Sequence, residues 1–477
     1  MDLLRIFITT LFPLIMMLRG RCFMKQADIV VIGGSAAGIP AAITARRHYP
    51  EKSVILIRKE EQVLIPCGIP YIFGTLGKPQ NNLIPDSILQ NNNIELIVSE
   101  AVELHAKELN PKERKVVLAN GESVLYDKLI LATGSSPAVL PIPGFDKKNV
   151  YTVKKDVKYL QNLLDALENV KDLVILGCGF IGVEFADECK KNRDINVTVV
   201  EMLDQCLQIV FGEGVCKICQ EIEDYLKRKG ITVVTGTSIE EIIGDEKVTA
   251  VRLSNGKEIK ADALIVGVGV SPNVELARNA GLATSKGGII VDTTMRTSDP
   301  NIFACGDCAT KFSFFTGQPS TLRLASIATT EARIAGANLY EISRKNPGAL
   351  GVFATAVGDL TVAIAGVSEK GAKNCGFEVV TGEAEAADRH PAGMPGTSKM
   401  WVKLIFNKVN GELIGGAVKG GPSAGELINA ISACIQNRMR ADDIAIFQIG
   451  THPAVTASPI IYPLVTVAEL VSKKMKS

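Results

Sequence analysis

The stretch DLVILGCGFIGVEFADE, Asp172 to Glu188, runs from an apolar strand, Leu173 to Leu176, into Gly177, Gly179 and Gly182 and then into a helical pattern. The glycines match G-x-G-x-x-G without substitution, the spacing that lets a strand turn sharply into a helix and a pyrophosphate approach the backbone. Such a group is held by backbone N–H donors and the positive end of the helix dipole, so side chains there must stay small. The next strand, VTVVE, ends in Glu201, about 20 residues beyond the glycines, where a carboxylate accepts from a ribose 2′-hydroxyl and repels a 2′-phosphate. The segment therefore predicts a fold binding NADH in preference to NADPH, with Gly177, Gly179, Phe180, Ile181 and Gly182 around the cofactor.

Working outward, the same pattern occurs earlier as DIVVIGGSAAGIPAAITARR, Asp28 to Arg47. The strand Ile29 to Ile32 leads into Gly33, Ser35 and Gly38 at the fingerprint positions, with serine in place of the middle glycine, Gly34 keeping the turn small, and Ala36 and Ala37 among the cofactor-binding candidates. The matching second strand, SVILIRKEE, ends in Arg58 and Lys59 before Glu60, so the ribose-binding acid is displaced or absent and Glu60 is the candidate. Two further segments separate two cofactors from a duplication with one. YDKLILATGSSP, Tyr126 to Pro137, contributes Thr133 and Gly134, and TSDPNIFACGDCA, Thr297 to Ala309, places Asp307 after Gly306. Both read as a buried strand ending in small residues, and an aspartate there suits a ribityl chain. These are features of a flavin site.

The remainder of the chain bounds the possibilities. A length of 477 residues predicts two to four domains. Lys+Arg 52 against Asp+Glu 51 leaves a formal charge of +1, which favours neither nucleic acid nor an anionic membrane. Eleven cysteines, odd in number and scattered, read as a reducing, cytoplasmic setting rather than a disulfide scaffold. Cys216 with Cys219 and Cys305 with Cys308 have C-x-x-C spacing but lack the further ligands of a zinc site, so no metal is expected. The second pair reads as small structural residues beside a close backbone approach. At the N-terminus an apolar run from Ile6 to Leu18, between Arg5 and Arg19 and containing Pro13, is shorter than the roughly 20 residues of a membrane span. Residues 1–24 are read as an extension or dispensable leader, with a membrane tether the minor alternative.

The ordered set GGSAAG, PCGIPY, LATGSSP, GCGFIG, GVGVSPN and IFACGDCA resembles the FAD-dependent pyridine nucleotide–disulfide oxidoreductases. Within them the chain is similar to the single-cysteine branch of coenzyme A disulfide reductases, NADH-dependent persulfide reductases, NADH oxidases and NADH peroxidases. The resemblance runs from about Lys25 to the C-terminus. It implies an α/β chain with two Rossmann-like units and a C-terminal α+β dimerisation domain. The FAD-binding domain would take 25–149 and 271–340, the NAD-binding domain 150–270, and the dimerisation domain 341–477, giving a homodimer. MWVKLIFN and GELIGGAVKG read as strands of the last domain. From GVGVSPN, Gly269 joins the cofactor-binding set, and Glu184 is expected on the nicotinamide side.

The lone cysteine lies in VLIPCGIPY, Val63 to Tyr71. Pro66 and Gly68 read as a turn into a helix whose dipole would favour the Cys67 thiolate, against a reference pKa near 8.5, and the family implies that this thiolate faces the flavin. Ile72 occupies the place of a second thiol. Oxidised Cys67 must then be a mixed disulfide, a persulfide or a sulfenic acid, implying a thiol such as coenzyme A, sulfane sulfur, or peroxide and oxygen as partner. The resemblance to coenzyme A disulfide reductases makes Thr44, Arg47 and Tyr71 substrate-binding candidates, although Arg46 and Arg47 also read as a solvated helix face. QIGTHPAVTASP, Gln448 to Pro459, lacks that branch's tyrosine-alanine-proline-proline run and approaches a His-Pro-Thr motif. It makes His452 a candidate acid/base supplied across a dimer interface, with a structural histidine as the alternative. The expected activity is NADH-dependent, FAD-mediated reduction of coenzyme A disulfide, persulfide or polysulfide. The alternatives are an NADH oxidase or peroxidase, and an electron-transfer subunit for a protein partner.

Overall fold

In the computed structural model, which describes residues 24–106, 114–212 and 216–476, the two glycine-rich stretches open two sheets on one plan. Near-continuous Val, Ile and Leu runs suit strands covered on both faces, as parallel sheets require. Met24–Ile32 pairs in parallel with Val54–Arg58 on one side and Ser123–Leu131 on the other. Glu95–Val98 extends the sheet beyond Val54–Arg58, and the late strand Ile302–Ala304 returns to lie along Leu129–Leu131. Lys115–Leu118 and Ala101–His105 add an antiparallel pair, for seven strands in all.

The second sheet has five parallel strands in the order Val150–Thr152, Ala263–Val266, Asp172–Leu176, Asn196–Val200, Ile231–Val234. An antiparallel meander, Ile239–Ile243, Ala250–Leu253 and Glu258–Lys260, accompanies it. The chain crosses between the two sheets twice, and the crossings pair with each other: Ser135–Pro137 runs antiparallel to Val270–Pro272.

The last sheet is antiparallel, in the order Val352–Val357, Leu360–Gly366, Leu413–Gly420, Lys399–Asn407, Val379–Ala387. The two segments read as strands from sequence are neighbours in it. Leu427, Ile428 and Ile431 of the helix Ala424–Gln436 and Leu464, Val467 and Val471 of the helix Pro463–Lys476 share its buried core. The architecture is α/β, two Rossmann-like units followed by an α+β unit. The apolar run Ile6 to Leu18 lies outside the described residues, as does the whole of the 1–24 extension except Met24. Among the described residues no helix is long and apolar enough to cross a membrane.

Candidate active site

The first glycine loop lies between the strand ending at Ile32 and the helix Gly38–His48. A Cβ on Gly38 would stand 1.8 Å from the Gly33 carbonyl oxygen, so the turn closes only with hydrogen at that position. Ser35, Ala36 and Ala37 form the bend, and the Ser35 carbonyl accepts the N–H of Ile39 at 3.2 Å. Gly306 comes down on this loop, where a Cβ on it would meet the Ala37 side chain at 2.7 Å. Below Gly306, a wholly buried Lys311–Glu331 pair at 2.8 Å fixes the backbone. Lys311 Nζ donates to the Gly306 carbonyl at 2.6 Å, and the Gly306 N–H donates to Glu331 Oε2 at 2.9 Å. Next to it, Asp307 Oδ2 accepts from Ser135 Oγ at 2.7 Å. Gly134 precedes that serine, and Thr133 Oγ1 donates to the Asn273 carbonyl at 2.8 Å. A cavity of about 470 Å³ opens beside Gly33, lined by Glu60, Thr133, Ser136 and Asn273 among others. The small residues of the glycine turn, the polar side chains of the cavity and this volume suit the adenosine and pyrophosphate of a dinucleotide.

The second loop repeats the closure, with a Cβ on Gly182 placed 1.9 Å from the Gly177 carbonyl oxygen. A Cβ on Gly179, the cap of the helix Phe180–Lys190, would meet nothing within 4 Å, so the loop presents bare backbone to open space. Glu201 closes over this loop, Oε2 accepting the Cys178 N–H at 2.7 Å and Oε1 the Leu203 N–H at 2.9 Å. Each oxygen keeps a second lone pair for a ribose hydroxyl. Phe180 stacks on Phe353 of the C-terminal sheet at 5.4 Å and meets Phe211 edge-on at 6.5 Å, while Ile181 is exposed. Gly269 precedes the crossing strand Val270–Pro272.

Around Cys67 the structure corrects the expected helix. Two short 3₁₀ turns, Pro66–Gly68 and Pro70–Phe73, stand in its place. Pro70 has no N–H to give the Pro66 carbonyl, so the α-helical bond cannot form and Ile69 donates to that carbonyl instead, at 3.3 Å. With no full helix behind it, Cys67 lacks the dipole that the sequence pattern predicts for it. Its thiol is open to solvent on one side yet walled by protein on the other. It is pushed above its ordinary value by burial first and by the Glu184 carboxylate second, with Lys155 pulling it down. The loop is braced by Asn82, whose Nδ2 donates to the Ile65 carbonyl at 2.9 Å and whose Oδ1 would collide with any Cβ on Gly68.

Glu184 lies within the field of Cys67 and Tyr71 and is itself pushed up to about 7, chiefly by burial, while a hydrogen bond from Thr355 Oγ1 to Oε1 at 2.7 Å holds it down. Tyr71 is pushed up to about 12 by burial, then by Glu184 and its acidic neighbours Glu188 and Asp187. Lys155 Nζ stands 3.8 Å from Asp307 Oδ2, linking the Cys67 side to the Gly306 loop. Asn82, Lys155 and Thr355 carry no motif; only the fold brings them here.

The remaining candidates lie elsewhere. His452 is exposed, its Nδ1 accepting the Ala454 N–H at 3.2 Å, so it presents Nε2 outward from a turn that His390 Nδ1 pins through the Thr456 carbonyl. Thr44 packs toward Gly336 of the helix Ala325–Ala337, and Arg47 is exposed. Arg46 departs from the solvated face expected of it: its guanidinium caps the carbonyls of Pro50, Lys52 and Asn93. Cys305 and Cys308 are fully buried, and the Cys308 thiol donates to the Cys305 carbonyl. The scatter of cysteines along the chain gave no sign of a disulfide, but Cys178 of the glycine loop is bonded to Cys206.

Residues 27–332 match the pyridine nucleotide-disulphide oxidoreductase family, and residues 352–459 match its dimerisation domain. An NADH oxidase of Methanocaldococcus jannaschii is 32% identical over 455 residues, 94% of this chain and 99% of that protein. A CoA-dependent NAD(P)H sulfur oxidoreductase of Pyrococcus furiosus is 29% identical over 457 residues, again 94% and 99% of the two chains. An NAD-dependent persulfide reductase from A. fulgidus has the same fold, with a TM-score of 0.84 at 31% identity over 94% of this chain and 84% of that one.

Proposed function

The chain belongs to the pyridine nucleotide-disulphide oxidoreductases, enzymes that use FAD and NAD(P)H, and we propose that it reduces low-molecular-weight sulfur with NADH through Cys67. Coenzyme A disulfide, a persulfide or polysulfide is the substrate class. The observation that carries this reading is the isolation of Cys67. It sits exposed in its turn, while Ile72, where a partner thiol would stand, is wholly buried among Leu64, Ile69 and Phe73. Such a sulfur can complete a disulfide only with something that arrives from solution.

Each part of the chain then has its task. Gly33, Gly38, Gly306 and Asp307 would hold FAD, with Glu60 the candidate for its ribose; Gly177, Gly179, Gly182 and Glu201 would hold NADH. Bound there, FAD would supply two-electron transfer between NADH and a disulfide held on Cys67. The Cys67 thiolate attacks a substrate S–S bond; one thiol leaves and a mixed disulfide remains on Cys67. Two electrons and one proton then release the second thiol and restore the Cys67 thiolate, so that, with the proton given to the first thiol, two electrons and two protons turn one disulfide into two thiols. Thr355 occupies Glu184 Oε1, which leaves Oε2 to carry the proton given to the departing sulfur. A second copy of the chain, docked through the C-terminal sheet, brings His452 toward Cys67.

A second reading is supported by the M. jannaschii relative named NADH oxidase: oxygen or hydrogen peroxide as acceptor, with Cys67 passing through a sulfenic acid. The test is anaerobic NADH turnover with coenzyme A disulfide, coenzyme A persulfide, polysulfide and peroxide, repeated with Cys67→Ser. Sulfur reduction should fall by ~10³-fold or more with FAD retained. Full sulfur activity in the variant removes Cys67 from the mechanism. Turnover with peroxide alone moves the chain to the second reading.

A further inference from the structure

The helix Lys217–Arg228 begins at Cys216, whose extended backbone caps it, and carries Cys219 in its first turn. Cys216 is half-buried and Cys219 wholly so; neither is in a disulfide. The Cys216 sulfur accepts the Cys219 N–H at 3.4 Å and also a hydrogen bond from the Cys219 thiol. Residues three apart on a helix have Cβ atoms about 5–6 Å apart, and the Cys216 sulfur already lies 3.4 Å from the Cys219 nitrogen, so the pair is placed for a bond that needs only a small approach. We propose that Cys216 and Cys219 are a second thiol–disulfide exchange site, separate from Cys67, which takes low-molecular-weight disulfides.

Three features distinguish this pair from Cys305 and Cys308, which share its spacing. Its first sulfur reaches solvent, whereas both of theirs are fully buried. It caps a helix of three turns, whose N–H groups and dipole favour a thiolate; Cys305 and Cys308 bracket a single 3₁₀ turn. Its two thiols are divided in acidity. Cys216 is pulled down to about 6, first by the Cys219 thiol and against burial, then by backbone N–H donors and by Lys403 of the adjoining strand. Cys219 is pushed up by its neighbour's sulfur, burial and Glu223. A half-buried, acidic nucleophile above a wholly buried, reluctant one is the division of labour that exchange requires.

The chemistry balances with the disulfide as oxidant. The Cys216 thiolate attacks one sulfur of RSSR; that S–S bond breaks and RS⁻ leaves with the electron pair, taking the proton that Cys216 gave up. Cys219 then loses its proton and attacks the Cys216 sulfur, releasing the second RSH. One RSSR becomes two RSH, and two protein thiols become the Cys216–Cys219 disulfide.

The experiment uses the FAD-loaded Cys67→Ser enzyme, so that its outcome is independent of the mechanism proposed for Cys67, with 5,5′-dithiobis(2-nitrobenzoate) as the disulfide. At this site two thionitrobenzoates should be released and none retained, leaving a peptide with residues 216 and 219 linked and lighter by two hydrogens. Adding Cys219→Ser should release one and retain one on Cys216; adding Cys216→Ser should abolish both. If serine is not tolerated at buried position 219, Cys219→Ala traps the same adduct, and retained flavin absorbance reports folding. Unchanged release after Cys216→Ser, or no adduct on Cys216 in either position-219 variant, overturns the proposal.

Discussion

The two glycine loops are one device put to different ends, and equivalent positions mark where they part. Gly33 donates its N–H to the Ile57 carbonyl and Gly177 donates to the Val200 carbonyl, each at 2.8 Å, so Arg58 stands where Glu201 stands. Arg58 is buried, paired with Asp86 at 2.7 Å, and its side chain lies over Gly34; Glu201 turns back onto the N–H of Cys178, the residue equivalent to Gly34. Further along, Pro40 of the first helix corresponds to Glu184 of the second. The first loop has become a packed floor with no acid at its strand end, and Glu60 lies two residues further on at the cavity. The second has an acid at the strand end and adds a buried titrating group whose charge reaches Cys67. The shared geometry is the closure of the turn; the chemistry lies in the side chains that surround it.

The largest effects should come from breaking the closure itself. Gly38→Ala and Gly182→Ala introduce the same clash, yet the first should yield protein without flavin absorbance. The second should keep the flavin and raise the KM for NADH by ~10²-fold. Flavin titration and steady-state kinetics on both variants check this, and identical losses would erase the distinction between the loops. Next, Glu201→Ala should relax the preference for NADH over NADPH by ~10- to 100-fold, because a carboxylate no longer faces the 2′-phosphate. An unchanged ratio of the two kcat/KM values would remove Glu201 from cofactor choice.

Glu184 sharpens the comparison at its quietest point, through stability. Its folded pKa of about 7 lies above the ordinary 4.5, so between those values the native chain holds a proton that the unfolded chain has released. Stability is therefore full below pH 4.5 and falls as pH rises toward 7, by at most about 3 kcal/mol. Glu184→Gln should match the parent near pH 4 and exceed it at pH 8 in denaturant titrations; parallel curves would contradict a buried, titrating carboxyl. Thr355→Val, which removes the bond that lowers this pKa, should shift the falling limb upward by about one unit or less.

Both loops were legible from sequence because glycine at a strand–helix turn is a local steric demand: Gly38 and Gly182 are fixed by neighbours five residues away. The Cys67 turn was misread because Gly68 suggests entry into a helix, whereas Pro70 denies the bond on which that helix depends. The groups around Cys67 were invisible for another reason. Thr355 reaches Glu184 from 171 residues away, and Lys155 and Asn82 carry no spacing signal. The Cys178–Cys206 bond spans 28 residues in a chain whose cysteines suggested no framework. Arg46 and Arg47, adjacent and identical in kind, differ only because the chain folds carbonyls back onto one of them.

The paired crossings Ser135–Pro137 and Val270–Pro272 have a consequence for how such a molecule can arise and be rebuilt. Departure and return lie side by side, so the host sheet experiences everything between them as one wide loop with neighbouring ends. A lineage can acquire or exchange such a cassette without re-registering a single host strand. A protein engineer can graft another nucleotide module between the same two seams.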